Sequence, residues 1–340
     1  MRSGRGEFLN HQVTLIEGDG IGPEVIASAV KTVESAGVDI TWNRAIAGEK
    51  AIEKFNEAIP EETIDSIKKT KVALKGPVAT PIGKGFRSAN VTLRQKLNLY
   101  ACTRPVVNLP GIEARFSNVD LVVIRENTEG LYSGLEHQIL PGVVTSLKVI
   151  SREACRRIAQ FAFDYCIRND RKKVVAVHKA SVMKKSDGLF LEEVRKAAEN
   201  FPQIKYDEIA IDKLSMRLVT EPSEFDVLVM GNLYGDIISD LSSGLIGGLG
   251  VVPGANIGEE YAVFEPVHGT APAIAGKGIA NPLASILSAV LMLDHLGEPK
   301  AAGKIRSAVQ SVLEEGSVKT EDLGGKAGTE EFTDAIIAEL

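Results

Sequence analysis

The chain has 340 residues, of which 44% are hydrophobic and 25% charged, and its net charge is −6. This length and apolar content exclude a disordered chain and predict a large core divided between two lobes. The acidic balance, without a long basic run, argues against nucleic acid as a partner but allows a local basic pocket around a small anion.

Residues 1–10 contain arginines but no apolar segment, unlike a secretory signal. Residues 13–16 read as a buried strand. Gly18-Asp19-Gly20-Ile21-Gly22 forms a tight loop, and Pro23 stands where a helix over about 23–36 begins. The glycine pattern misses the dinucleotide fingerprint, because Pro23 takes the place of its third glycine. The reading is a strand-to-helix turn that uses glycine's backbone freedom, not a standard Rossmann site. A helix at 61–69 and a strand at 72–75 follow, then a Gly/Pro-rich loop over 76–88. Further strands are expected at 120–125, 174–178, 205–211 and 226–230. Helices are expected at about 151–168, 187–200, 236–246, 282–296, 300–314 and 330–339. The alternation predicts α/β architecture, with one lobe from 1–102 and 257–340 and the other from 103–256. The longest apolar run, about 283–293, is too short to cross a bilayer, so no membrane is expected. Cys102, Cys155 and Cys166 are odd in number and lack CxxC spacing. They read as reduced thiols of a cytoplasm, or of a mitochondrial matrix in a eukaryote.

The strongest chemical signal follows the strand at 226–230, in Met230-Gly231-Asn232-Leu233-Tyr234-Gly235-Asp236. Gly235 is expected to break the strand and Asp236 to open a helix. Asp236 and Asp240, four apart, then share a helix face. Two carboxylates at a strand's C-terminal end suit a hard divalent cation. They also suit a solvated face whose first acid is favoured by the helix dipole. The absence of Lys or Arg on this stretch favours the cation.

Other candidates lie at element ends. Ser88 reads as a helix cap, with Asn90 and Arg94 on one face behind it. Arg104, and Arg125 directly after four apolar strand residues, join Arg94 as possible bidentate partners for several carboxylates. Taken singly, each arginine reads more readily as a surface ion pair, Arg125 least so. Lys179 ends the strand at 174–178, on the edge where α/β sheets bind ligands. It is either a general base or a rim lysine, and His178 beside it reads as structural. Asp212, at the end of the strand at 205–211, is either a third metal ligand or a helix cap. The loop Glu265-Pro266-Val267-His268-Gly269-Thr270-Ala271-Pro272 can present backbone N–H groups and His268 to a phosphate or a base.

Together these segments resemble the β-decarboxylating dehydrogenases, the isocitrate and isopropylmalate dehydrogenase family. The motifs are Gly-Asp-Gly-Ile-Gly-Pro at 18–23, Arg-Glu-Asn-Thr-Glu-Gly at 125–130, Asn-Leu-Tyr-Gly-Asp at 232–236 with Ser-Asp at 239–240, and His-Gly-Thr-Ala-Pro at 268–272. The resemblance implies a two-lobed α/β fold with a central sheet flanked by helices. It implies a tricarboxylate bound by Ser88, Asn90, Arg94, Arg104, Arg125 and Tyr132. Asp236 and Asp240, with Asp212 of a second subunit, would hold Mg²⁺ or Mn²⁺. Lys179 of that subunit would help remove the hydroxyl proton, and Tyr132 would protonate the enolate. Ser88 and Asn90 look like the isocitrate branch. NAD is expected against Thr80, Glu265, His268, Gly269, Thr270, Ala271, Ile274, Asn281 and Asp322. Ala273, Ile274, Glu321 and Gly325 stand where NADP-using relatives place groups for the 2′-phosphate, and none of them is cationic. Ala273 also departs from the aspartate of NAD-using relatives, Ser181 and Lys213 from asparagines, and Gly231 from a proline. The implied protein is an NAD-dependent isocitrate dehydrogenase acting as a homodimer or higher homo-oligomer with shared sites. The alternatives are a homoisocitrate or isopropylmalate enzyme, or a regulatory subunit of a hetero-oligomer.

Overall fold

A computed structural model describes residues 10–79 and 87–340. Its strands are β1 (His11–Ile16), β2 (Ile40–Ala45), β3 (Val72–Lys75), β4 (Ala101–Val107), β5 (Asp120–Glu126), β6 (Glu136–Leu140), β7 (Val143–Ser146), β8 (Lys173–His178), β9 (Lys205–Ala210), β10 (Val227–Met230), β11 (Pro253–Ile257) and β12 (Ala262–Pro266). The chain forms two compact units, Met1–Ala89 with Tyr261–Leu340, and Asn90–Glu260.

In the first unit, β2, β1, β3 and β12 pair in that order, all parallel. Such sheets need cover on both faces, so their inner strands are largely apolar, while the edge strand β2 carries Asn43 and Arg44. Val13, Leu15, Ile16, Ala73, Leu74, Val263 and Phe264 are accordingly buried. The helix Gly22–Ser35 packs on Leu283–His295 and Thr329–Ala338, while Glu61–Thr70 covers β1 to β3. The turn after β1 follows the glycine reading. Gly20 has φ +59°, and a Cβ there would lie 2.0 Å from the Thr270 carbonyl oxygen. That close approach lets the Ile21 N–H donate to the same oxygen at 2.9 Å. Asp19 is buried beside it and accepts from the N–H groups of Glu49 at 3.0 Å and Ala79 at 2.7 Å.

In the second unit the order is β11, β4, β5, β10, β8, β9. β4 runs antiparallel to β11 and β5, and the rest pair in parallel. The helix Arg152–Arg168 starts at Ser151, whose hydroxyl accepts from the Ala154 N–H at 3.2 Å as a cap. It packs against Ser186–Glu199 and the sheet. Phe163 is fully buried there, stacked on Phe201 with ring centroids 5.2 Å apart. Cys155 and Cys166 lie in the same core. β6 and β7 form a separate hairpin with Ile139, Leu140, Val143 and Val144 exposed. Among the described residues no helix is long and apolar enough to cross a membrane.

Two of the boundaries that differ from the sequence reading move candidate site residues. The helix bearing Asp236 begins at Asn232, not at Asp236, so Gly235 lies inside it. Glycine in a helix costs only about 1 kcal/mol, and packing outweighs that preference. Asp212 does not end a strand. β9 stops at Ala210, and Asp212 sits in the first turn of the helix Ile211–Leu218, where the dipole favours an acid.

Truncating Phe163 to alanine should remove about 3–5 kcal/mol of stability, the usual cost of emptying a packed aromatic site. A lower urea midpoint, followed by circular dichroism, is the expected result.

Candidate active site

β5 delivers Arg125 to its C-terminal end with the guanidinium only 1% exposed. A charge so buried must be paired. Asn232, at the start of the helix Asn232–Gly244, accepts from Nε at 3.0 Å and Nη2 at 2.7 Å through its side-chain oxygen. The Asn232 amide in turn donates to the Glu129 carbonyl at 3.0 Å. Nη1 pairs with Asp236, one helical turn on. Gly235 makes this contact possible, because a Cβ there would stand 2.5 Å from Arg125 Cβ and Cγ. The sequence reading did not single out Asn232. It stood there only as the first residue of the motif at 232–236, with no role given.

After β5 the chain turns sharply. Glu126 is buried and accepts from the N–H groups of Thr128 at 2.9 Å and Glu129 at 3.0 Å. The turn sets Tyr132 beside Arg125, with the guanidinium carbon 5.1 Å from the ring centroid. The Tyr132 hydroxyl donates to Asp236. Arg104, on β4, donates to Asp240 at 3.1 Å and to the Ser239 hydroxyl. Arg94, on Ala89–Lys96, is buried and contributes to the field at Arg125 and Asp236. On the same helix, Asn90 Oδ1 is buried with no hydrogen-bond partner, as expected of an atom that meets a ligand. Ser88 immediately precedes that helix and is exposed.

The charges are mutually tuned. Burial pushes Asp236 upward, but Arg125, the Tyr132 hydroxyl, Arg104 and Arg94 outweigh it and hold the carboxyl below its usual range. Asp240 goes the other way. Burial, reinforced by Asp236, raises it against Arg104. Burial and Asp236 also raise the Tyr132 phenol, keeping it a proton donor. Asp236 and Asp240 therefore offer hard oxygen donors of the kind Mg²⁺ and Mn²⁺ take. Among the described residues of one chain, no three His, Cys, Asp or Glu side chains gather as a complete site. Asp212 instead pairs with Lys179 at 2.5 Å, both partly exposed, and the ammonium holds that carboxyl low. His178 Nδ1 accepts from the Ala180 N–H at 3.1 Å, a local role in keeping with its structural reading.

In the first unit, His268 to Pro272 follow β12. Burial holds the His268 imidazole below its usual range. Its Nδ1 lies 2.9 Å from the Gly269 carbonyl, while Nε2 is buried without a partner. Ala271 has φ +39°, an uncommon conformation for a side-chain-bearing residue. Asn281 donates to Asp322 at 2.9 Å, and Asp322 also accepts from Thr320 at 2.6 Å. Glu265 is engaged by buried Lys75 at 2.5 Å. Thr80 lies outside the described residues. Ala273 and Glu321 are exposed. At Gly325 a Cβ would lie 2.0 Å from the Lys319 carbonyl oxygen, so the turn has no room for a side chain. The orphaned imidazole nitrogen fits a loop that receives a polar ligand such as NAD.

A sequence model of the isocitrate/isopropylmalate dehydrogenase family matches residues 12–336. NAD isocitrate dehydrogenase catalytic subunit 5 of Arabidopsis thaliana mitochondria is 53% identical over 96% of this chain and 88% of its own length. A mitochondrial regulatory subunit of the NAD isocitrate dehydrogenase of Dictyostelium discoideum is 50% identical over 97% and 92%. The chloroplastic 3-isopropylmalate dehydrogenase of Solanum tuberosum is 52% identical over 90% and 86%. The crystal structure of isocitrate dehydrogenase from Methylococcus capsulatus superposes with a TM-score of 0.94 at 49% identity, covering 97% of this chain and 99% of that one. The chain therefore belongs to the isocitrate/isopropylmalate dehydrogenase family.

Proposed function

We propose that the protein is a catalytic isocitrate dehydrogenase that uses NAD and Mg²⁺ or Mn²⁺, yielding 2-oxoglutarate and CO₂. The observation that carries this reading is the cluster of Arg94, Arg104 and Arg125 around Asp236, Asp240 and Tyr132. Three guanidiniums and one divalent cation, set against two aspartates, leave a positive charge equal in size to that of a fully ionised tricarboxylate. Lys179 and Asp212 cancel each other.

The arginines bind and orient the carboxylates, and Asn90 can donate its amide N–H to the distal carboxylate while Oδ1 accepts from a bridging water. A bound cation would supply Lewis acidity toward the hydroxyl and adjacent carboxylate, and NAD would supply the hydride acceptor. Lys179 of a second subunit, acting as its uncharged amine, takes the hydroxyl proton as the C2 hydride departs. The carboxylate on C3 then leaves as CO₂, its bonding electrons forming the enolate, and Tyr132 returns a proton to C3.

Relatives named for isocitrate and for isopropylmalate are almost equally identical. The choice of isocitrate therefore rests on Ser88 and Asn90, and energetically on Asn90, whose buried side chain an isopropyl group cannot pair. One unpaired buried polar group costs about 1–3 kcal/mol, or roughly tenfold to a hundredfold. A regulatory subunit is the weaker reading, because the acid pair, Asp212, Lys179 and Tyr132 are all present.

NADH formation from isocitrate, homoisocitrate and isopropylmalate, compared in parallel and with NADP replacing NAD, tests the assignment. Isocitrate with NAD should lead. Chelation, or Asp236→Asn, should lower turnover by at least about a hundredfold. Equal efficiency on isopropylmalate, or full activity after chelation, would refute the reading. Gly235→Ala should displace Arg125 and lower kcat/KM for isocitrate about tenfold or more, with NAD binding, followed by fluorescence, unchanged. Shared sites are tested by mixing Lys179→Met chains with Arg94→Ala chains. Partial recovery of activity is expected, and none despite proven subunit exchange would exclude sharing.

A further inference from the structure

We infer that Asp187 is a positioning residue that holds Lys179 for proton transfer, through a buried junction joining four segments. The inference rests on the dehydrogenase reading above. Asp187 is 3% exposed, in the first turn of the helix Ser186–Glu199. Its Oδ2 accepts from the Lys179 backbone N–H at 2.7 Å and from the Tyr234 hydroxyl at 3.2 Å. Its Oδ1 accepts from the Lys148 ammonium. That ammonium also lies 4.9 Å from the centroid of the Tyr234 ring. The loop between Lys179 and Asp187 closes on itself. The Lys179 carbonyl accepts from the N–H groups of Val182 at 3.0 Å and Met183 at 2.9 Å, and the Asp187 N–H donates to the Met183 carbonyl at 3.0 Å.

The arrangement separates two tasks. The Lys179 side chain is partly exposed, and its ammonium pairs with Asp212 alone among the contacts described for it. Its main chain is fixed, at both the amide and the carbonyl, by the Asp187 turn. Tyr234 precedes Asp236 by two residues on the helix that carries the acid pair. One carboxylate thus ties the lysine's strand end to that helix. Ionised aspartate is acceptor-only, and here each oxygen faces a donor. Asparagine cannot reproduce this, because its NH₂ must face either the Lys148 ammonium or the Lys179 and Tyr234 donors.

Asp187→Asn tests the inference by a double-mutant cycle with Lys179→Met. In the parent background kcat should fall about tenfold or more. The dissociation constant for isocitrate should stay within about twofold, because no substrate arginine is touched. In the Lys179→Met background the same change should cost less than about twofold, because the group it positions is already gone. Loss by the same factor in both backgrounds, or no loss in the first, would overturn the inference. If Asp187→Asn fails to fold by circular dichroism, Tyr234→Phe removes one donor without changing charge. It should give a smaller loss, about threefold, with the same non-additivity, and an additive loss would again overturn it. A parent enzyme inactive on every substrate offered would count against the dehydrogenase reading. An active parent matched by Asp187→Asn would overturn only the role of Asp187.

Discussion

The candidate site depends on keeping the Arg125 guanidinium charged while it is almost wholly buried. Burial and the neighbouring Arg94 push its proton affinity down, and Asp236 opposes them. Removing either partner of such a pair leaves an uncompensated buried charge, which is far costlier than losing a surface bridge. The surroundings follow from that constraint. Asn232 satisfies two donors, Asp236 a third, and Tyr132 lends the face of its ring. The same contacts that stabilise Arg125 leave Asp236 ionised and Tyr132 protonated, which are the states a metal ligand and a proton donor need.

Much of this was legible in the sequence because apolar strands ending in charged residues announce both a sheet and its ligand-binding edge. Val174 to Val177 before Lys179, and Leu121 to Ile124 before Arg125, are of this kind. The strands β2, β4, β6, β7, β11 and β12 were missed, β4 and β11 for reasons their residues show. Arg104 and Pro105 interrupt β4, while Gly254 and Asn256 blur β11. In these cases pairing with neighbours overrode local preference. The start of the helix at Asn232 was missed for a related reason. Gly235 looked like a break, but it marks where a buried arginine stem lies against the helix.

Partnerships between distant residues were not legible. Asp187 read as an ordinary acid in a helix's first turn, and only the fold shows that it joins Lys148, Lys179 and Tyr234. Asn232 and Ser239 likewise carry no chemical signature of their own. They matter because each orients an arginine that the sequence already pointed to. Residue type reveals what can do chemistry, while the groups that aim it are generic polar residues whose partners are set by topology.

The three cysteines carry a practical consequence. All are buried, and burial pushes the Cys155 thiol to about 12 and Cys166 to about 11. Thiolate, not thiol, reacts with alkylating reagents and peroxides. At neutral pH the protonated thiol therefore dominates at both positions. These two native sulfurs thus offer little competition to a cysteine introduced on the exposed hairpin, which is then open to selective labelling with a fluorophore or spin probe.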